Sequence, residues 1–296
     1  MRTDLSIPVD GAELAATLSR PDAERPPAVV AVHGAERGVR DWYLYEHLHR
    51  VLPPAGIAVV TFDRRGDGAS TGEPSRGRFE QQAGDALAVI EQVTGAVDLD
   101  PERIGLWGIS QGGWVAPLAA AMSDRVAFLV LLASCGVTPG EQMRWTAGLQ
   151  TSRAFGEQAG AEAKQLWDDA LGWMRGGDRA RLESAVADAR AKPWWKTAWF
   201  PEEVPPDEAR AEVRSELDFD PTAVFKRVRV PTLLVYGDED EWIPVDESLA
   251  AWREARGEEI DVVVVLGTGH EPAQGEEVSP EYEESLVTWL RATAGL

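Results

Sequence analysis

Two apolar runs near the start of the chain, Leu5 to Val9 and Leu14 to Leu18, flank Asp10-Gly11. That pair accepts the positive backbone angles of a tight two-residue turn, so the spacing predicts an antiparallel hairpin. Four unbroken apolar segments follow: "AVVAVHG" (28–34), "GIAVVTFD" (56–63), "IGLWGI" (104–109) and "VAFLVLLAS" (126–134). Two more, "VPTLLVYGD" (230–238) and "DVVVVLG" (261–267), lie near the other end. Short continuous apolar runs of this kind predict strands covered on both faces. Between them the period changes to that of a helix. Phe79, Ala83, Ala86, Leu87 and Ile90 share one side of a helix over 79–96, and Val115, Ala116, Leu118 and Ala119 form the inner face of a second. A third runs from Val245 to Arg256, and Tyr282, Leu286, Trp289 and Leu290 mark a closing amphipathic helix. Strands alternating with helices predict an α/β fold with a mostly parallel, doubly wound sheet.

One stretch breaks the alternation. Residues 136–226 carry no convincing strand pattern, several helical ones, and six of the 12 tryptophans: Trp145, Trp167, Trp173, Trp194, Trp195 and Trp199. A structureless loop of that length does not belong in a compact domain. The segment therefore reads as an inserted helical cap, a lid over the carboxyl edge of a core made of residues 1–135 and 227–296. Trp194, Trp195 and Trp199, in "KPWWKTAWFP", are candidates for lining a substrate pocket or for packing the lid itself.

Composition narrows the function. With 50 acidic against 29 basic residues, the net charge of −21 repels phosphate backbones and anionic lipid. Nucleic-acid and membrane partners are therefore not expected. A single cysteine, Cys135, excludes an internal disulfide and a cysteine zinc site, and reads as a buried thiol. Asp63, Asp67 and Asp85 match no calcium-loop spacing, so neither a metal nor a cofactor is expected. "MRTDLSIPVD" lacks a basic segment leading into an apolar one, and no apolar run reaches membrane-span length. A cytoplasmic protein is the expectation.

The chemistry-bearing segment is "RIGLWGISQGGWVAPLAAA" (103–121), a strand running almost directly into a helix. Ser110 stands at the centre of Gly108-Ile109-Ser110-Gln111-Gly112. A strand-to-helix turn this sharp forces its central residue into a strained conformation and leaves no room for a Cβ two residues away. It also holds the serine Oγ clear of the sheet as a nucleophile.

The order and motifs resemble the α/β-hydrolase family over almost the whole chain. "DRRGDGAST" (63–71) resembles that family's Asp-x-Arg-Gly-x-Gly-x-Ser segment, a mark of the fold, and its Asp63, Arg64 and Arg65 read as a structural turn more readily than as an anion site. The resemblance implies a triad in the chain order nucleophile, acid, histidine. "GDEDEWIP" (237–244) resembles the family's acid turn and puts the acid on Asp240, with Asp238 in reserve; "GHEP" (269–272) resembles its Gly-His motif and puts the general base on His270. His47 and His49 lie in a helix-like segment, where surface or packing roles are expected, and His33 precedes Gly34 as in the family's oxyanion loop. The resemblance also implies an oxyanion hole from two backbone N–H groups, that of Gln111 and that of Ala35, with Glu36 as the alternative to Ala35. A serine at the elbow argues against epoxide or haloalkane hydrolysis. The implied activity is cleavage of a small carboxylic ester or thioester through an acyl-enzyme. A peptidase or amidase with the same triad, and a non-hydrolytic binding protein or receptor on the same fold, are the alternatives.

Overall fold

The computed structural model describes residues 2–36 and 38–296. Among these residues the strands are β1 (Arg2–Val9), β2 (Ala12–Ser19), β3 (Ala28–Val32), β4 (Ala58–Phe62), β5 (Ile104–Ile109), β6 (Leu129–Leu132), β7 (Thr232–Gly237) and β8 (Asp261–Val265). They form one eight-stranded sheet in the order β1-β2-β4-β3-β5-β6-β7-β8. The β1–β2 hairpin and the β2–β4 pair are antiparallel, and every pair from β4 to β8 is parallel. Helices follow in chain order as α1 (Tyr43–Val51), α2 (Phe79–Ala96), α3 (Gly112–Met122), α4 (Pro139–Phe155), α5 (Glu157–Met174), α6 (Arg179–Arg190), α7 (Arg210–Leu217), α8 (Pro221–Phe225), α9 (Val245–Arg256) and α10 (Pro280–Thr293).

The chain divides into two compact units. The first takes in the residues up to Ser134, Thr222–Glu239 and Leu249–Leu296, and contains the sheet. On one face, Leu44, Tyr45, Leu48 and Leu52 of α1 and Tyr282, Leu286 and Leu290 of α10 share a buried cluster with Val29, Trp107, Val130 and Val235 of the strands. The Trp107 indole N–H donates to the Tyr282 hydroxyl at 2.9 Å, so this fully buried ring carries no unsatisfied donor. On the other face α2 and α3 pack against β3, β5 and β6. Strands β3 to β7 are buried along their whole length, which is why their sequences read as unbroken apolar runs.

Strand β8 departs from that expectation. It is the last strand of the sheet, and only alternate residues turn toward the α1–α10 cluster. Val265 is buried, whereas Val264 and Leu266 are 39% and 71% exposed. The sixth run also pairs over a shorter span than its apolar length suggests, Leu129–Leu132 against 126–134.

The second unit, Cys135–Pro221 with Asp240–Ser248, is helical. Helix α4 opens on a capping box, Thr138 accepting from the Glu141 N–H while the Glu141 carboxylate reaches back to the Thr138 N–H. Its core gathers Leu166, Trp167, Leu171, Trp173, Met174, Leu182, Val186 and Trp194. Among the described residues no helix of either unit is long and apolar enough to cross a membrane.

Candidate active site

Strand β5 ends at Ile109 and α3 begins at Gly112, leaving two residues for the turn. Ser110 takes φ +55°, the left-handed region that costs a side-chain-bearing residue roughly 1–3 kcal/mol. Its surroundings hold it there. The Ser110 N–H donates to Leu132 O at 2.9 Å, and its carbonyl accepts from Gly113 N at 2.8 Å. A Cβ on Gly108 would lie 2.4 Å from Gly112 O, and one on Gly112 would lie 2.7 Å from Val32 O. Only glycine fits at either position, which explains the Gly-x-Ser-x-Gly spacing. Ser110 itself is half-buried. Gln111, buried, caps α3, so its backbone N–H is one of those that a helix start leaves outside the intrahelical ladder. Its side-chain oxygen accepts from Gln82 Nε2 at 3.1 Å, which turns that side chain toward α2.

The segment after β3 passes beside the elbow. A Cβ on Gly34 would sit 3.5 Å from Ile109 O and 3.7 Å from Ser110 Cβ, so Ala35 follows within one residue of the serine's own neighbourhood. Ala35 and Glu36 are exposed, and Arg37 lies outside the described residues. His33 is buried, with Nδ1 at 2.9 Å from the Tyr45 hydroxyl and its ring edge-on to Tyr45 and Phe62. Burial pushes the Tyr45 hydroxyl well above the usual phenol range, so the phenol stays protonated at neutral pH.

Asp63 and Asp67 of the turn-rich region, and Asp85 of α2, face cations and N–H groups. Asp63 accepts from the Arg40 N–H and guanidinium, both at 2.7 Å, and from Ala69 N at 2.8 Å. Asp85 takes a bidentate pair from Arg65 at 3.0 and 2.6 Å, both side chains buried, while Arg65 also reaches Asp10 O. Asp67 is paired with Arg64. Among the described residues no group of three acidic, histidine or cysteine side chains is arranged to hold a metal ion.

The acid and base turns follow β7 and β8. These strands run parallel, with Gly237 opposite Val265. The two turns are zipped together: Asp238 N donates to Val265 O at 3.3 Å, and Glu239 N donates to Thr268 O at 3.0 Å. A Cβ on Gly237 would lie 2.1 Å from Gly269 O, so the segment carrying His270 bends back over the end of β7, one strand closer to β5. His270 is half-buried. Beside it, Glu271 accepts a hydrogen bond from the Tyr43 hydroxyl. Burial and then that carboxylate keep the Tyr43 phenol protonated. Nothing in the sequence signals this contact, which joins α1 to a loop over two hundred residues away.

Asp238 and Asp240 differ sharply in setting. Asp238 is exposed and accepts from Gly267 N at 2.6 Å, a strut of the turn. Asp240 is buried in the second unit, and its Oδ1 accepts from Trp242 N at 2.7 Å and Ile243 N at 3.3 Å. Those two bonds fix the carboxylate.

Of the three candidate pocket tryptophans, Trp194 is buried in the second unit's core and donates Nε1 to Glu162 at 3.3 Å. Trp195 is half-buried, with the Phe200 ring 6.0 Å away and the Arg190 guanidinium over its face at 5.8 Å. Trp199 differs. It is 43% exposed, has φ +51°, and donates Nε1 to Gln150 Oε1 at 2.7 Å. Its ring lies 4.7 Å from that of Trp242, whose carbonyl accepts from Gln142 Nε2 and Thr146 Oγ1 at 2.9 and 2.8 Å.

His47 and His49 are both buried: His47 Nε2 meets Glu283, and His49 lies between Ser19 and Thr61 at 2.7 and 3.0 Å. Cys135 is buried as expected, and burial pushes its thiol up to about 12, which leaves it protonated and unreactive at neutral pH.

A doubly wound sheet with a strained serine at the end of a central strand, a His-Gly loop beside it and two further loops at the same carboxyl edge defines the class of α/β hydrolases. The chain belongs to the alpha/beta hydrolase family, whose model matches residues 29–281. Among characterised sequences it is similar to the thiohydrolase aneE of Aspergillus aculeatus, 33% identical over 42% of this chain and 38% of that protein. It is also similar to an uncharacterised 31.7 kDa protein of Escherichia coli, 38% identical over 35% of this chain and 36% of that one. The matched stretch thus spans little more than a third of either relative. In fold it is similar to the alpha/beta hydrolase GrgF from Penicillium sp. sh18, at a TM-score of 0.68, with 20% identity and full coverage of both chains.

Proposed function

We propose that this chain is a serine hydrolase that cleaves a small carboxylic ester or thioester through an acyl-enzyme on Ser110. The observation that carries the reading is Ser110 itself. A half-buried hydroxyl held at φ +55°, between glycines that admit no Cβ and beside the Gly34 turn, is a costly arrangement with no packing purpose. In this reading His270 takes the Ser110 proton as Oγ attacks the substrate carbonyl carbon. The charge that develops on the carbonyl oxygen is met by the N–H groups of Gln111 and Ala35. Collapse breaks the bond to the alcohol or thiol, which leaves with the proton held by His270. Water then attacks the acyl-enzyme and loses its proton to His270; collapse breaks the bond to Ser110 Oγ, which takes that proton back as the carboxylic acid departs. Asp240 orients the imidazole and stabilises its cation. The burial of Asp240, beside the exposed Asp238, supports that choice of acid.

The helical segment 136–226 is, in this proposal, the cap that selects the substrate. Trp194 and Trp195 pack it, and Trp199 with Trp242 offers an aromatic surface to the acyl or alcohol group. The thiohydrolase named above supports including thioesters. A fluorophosphonate probe with mass spectrometry tests the reading: label on Ser110, and none in Ser110→Ala, is the expected result. Equal ester turnover by wild type and Ser110→Ala would overturn it.

A further inference from the structure

Arg64 is among the most buried charged side chains of the molecule, 2% exposed, and its guanidinium is spent on backbone carbonyls. Nη1 donates to Gly34 O at 3.1 Å, and Nη1 and Nη2 both reach Ala35 O at 3.4 Å. Its Nε and Nη2 engage Asp67 at 2.8 and 2.7 Å, which sets the plane of the fork. Its own N–H donates to Gly38 O at 2.7 Å, so the loop is held at its far end as well.

A trans peptide unit is planar, and its C=O and the following N–H point in opposite directions. Gripping the Gly34 carbonyl therefore fixes the direction of the Ala35 N–H, away from the guanidinium. Gripping the Ala35 carbonyl does the same for the Glu36 N–H. The Gly34 bond is the shorter, so Ala35 is the more firmly aimed of the two. We infer that Arg64 is a positioning residue for the oxyanion hole: it aims the backbone donor on the β3 side, while the start of α3 aims the donor of Gln111. The inference rests on the serine-hydrolase reading above. Buried arginine suits the task, because a planar fork keeps several donors in one fixed geometry and a lysine cannot. Without it, a five-residue loop between β3 and Gly38 would have to order itself at each turnover, and preorganised donors are what electrostatic catalysis requires.

The test compares wild type with Arg64→Lys and with Asp67→Asn, which loosens the arginine at a half-buried site and perturbs folding less. Functional sites are counted by titration with the fluorophosphonate, so that unfolded molecules do not enter the rates. For Arg64→Lys, kcat should fall about tenfold to a hundredfold, with KM changed less than about threefold, somewhat less than the loss expected for deleting a donor. Asp67→Asn should give a smaller fall in the same direction. A trifluoromethyl ketone, which forms a tetrahedral oxyanion on the serine, should lose affinity in proportion to kcat/KM across the three proteins. A purely structural arginine would lower the melting temperature and leave both kcat per titrated site and ketone affinity unchanged; that result overturns the inference and leaves the hydrolase reading standing. If wild type neither takes the probe on Ser110 nor hydrolyses an ester, the hydrolase reading falls and takes this inference with it.

Discussion

Gly112→Ala adds one methyl group to the first residue of α3, where helix propensity favours alanine by up to about 1 kcal/mol. The surroundings reverse that gain. The new Cβ would lie 2.7 Å from Val32 O and 3.1 Å from His33 O, against an ordinary contact of 3.4 Å or more. Both atoms are backbone carbonyls at the end of β3, fixed by pairing with β5, with Val32 opposite Gly108. No side chain can swing aside, so β3 and α3 must separate by about 0.7 Å. Overpacking of this kind costs roughly 1–3 kcal/mol. In the proposed mechanism the same displacement parts the two oxyanion donors, Gln111 at the start of α3 and Ala35 in the loop that leaves β3. A misplacement near 1 Å costs about a hundredfold in rate, so labelling of Ser110 by the fluorophosphonate should slow by about ten- to a hundredfold. Gly84→Ala, on α2 with nothing within 4 Å of the new Cβ, is the control and should stabilise by about 0.5–1 kcal/mol with labelling unchanged. Urea unfolding gives the stabilities and stopped-flow labelling the rates. If Gly112→Ala matched wild type in both, the steric account of the elbow would be wrong.

Asp240→Asn should lower kcat by about 10⁴-fold with the fold intact, because the imidazole would lose its orienting carboxylate, while Asp238→Asn should cost stability of the turn and little rate; reversed results would move the acid by two residues. Burial, reinforced by the nearby Arg2 charge, lowers the pKa of His49 to about 4, so between about 6.5 and 4 the unfolded chain holds a proton that the folded one excludes. Its contribution is intact above pH 6.5 and is lost on acidification, by roughly 3 kcal/mol at about 1.4 kcal/mol per pH unit; His49→Gln should lose correspondingly less between pH 7 and 4 in urea titrations, and an equal loss would refute the assignment. Trp199→Ala should change the ratio of specificity constants for an aryl and an alkyl ester by about tenfold or more, whereas Trp195→Ala should lower the melting temperature and slow both esters together. An unchanged ratio for Trp199→Ala would remove that ring from the binding surface.

What could be read from the sequence follows from the range of the force involved. Strands β3 to β7 were legible because burial on both faces leaves little room for polar residues beyond Thr61 and Thr232. The span of α2, Phe79–Ala96, was legible from its apolar face alone. Ser110 was legible because steric exclusion acts within two residues and so writes glycines on either side of it. Where the constraint is one-sided, the reading slips: the valines of β8 look like a core strand, yet an edge strand needs cover on only one face. The Arg-Gly motif was recognisable as a turn, but its contact with Gly34 joins residues thirty positions apart, and neither partner carries a local mark of the other.

That division has a mechanistic side. Groups that react must be strained or exposed, and strain leaves a short-range signature in glycine and backbone angle. Groups that aim them do so by ordinary hydrogen bonds between distant segments, such as Arg64 to Gly34, Tyr43 to Glu271 and Glu239 to Thr268. Each of these ties a loop at the carboxyl edge to a rigid element or to another loop, and none uses an unusual residue. The loop carrying Ala35 and the loop carrying His270 have few buried apolar side chains of their own, so their positions depend on such ties. Mutations at the ties should therefore act on rate more than on stability, and mutations at the elbow glycines on both.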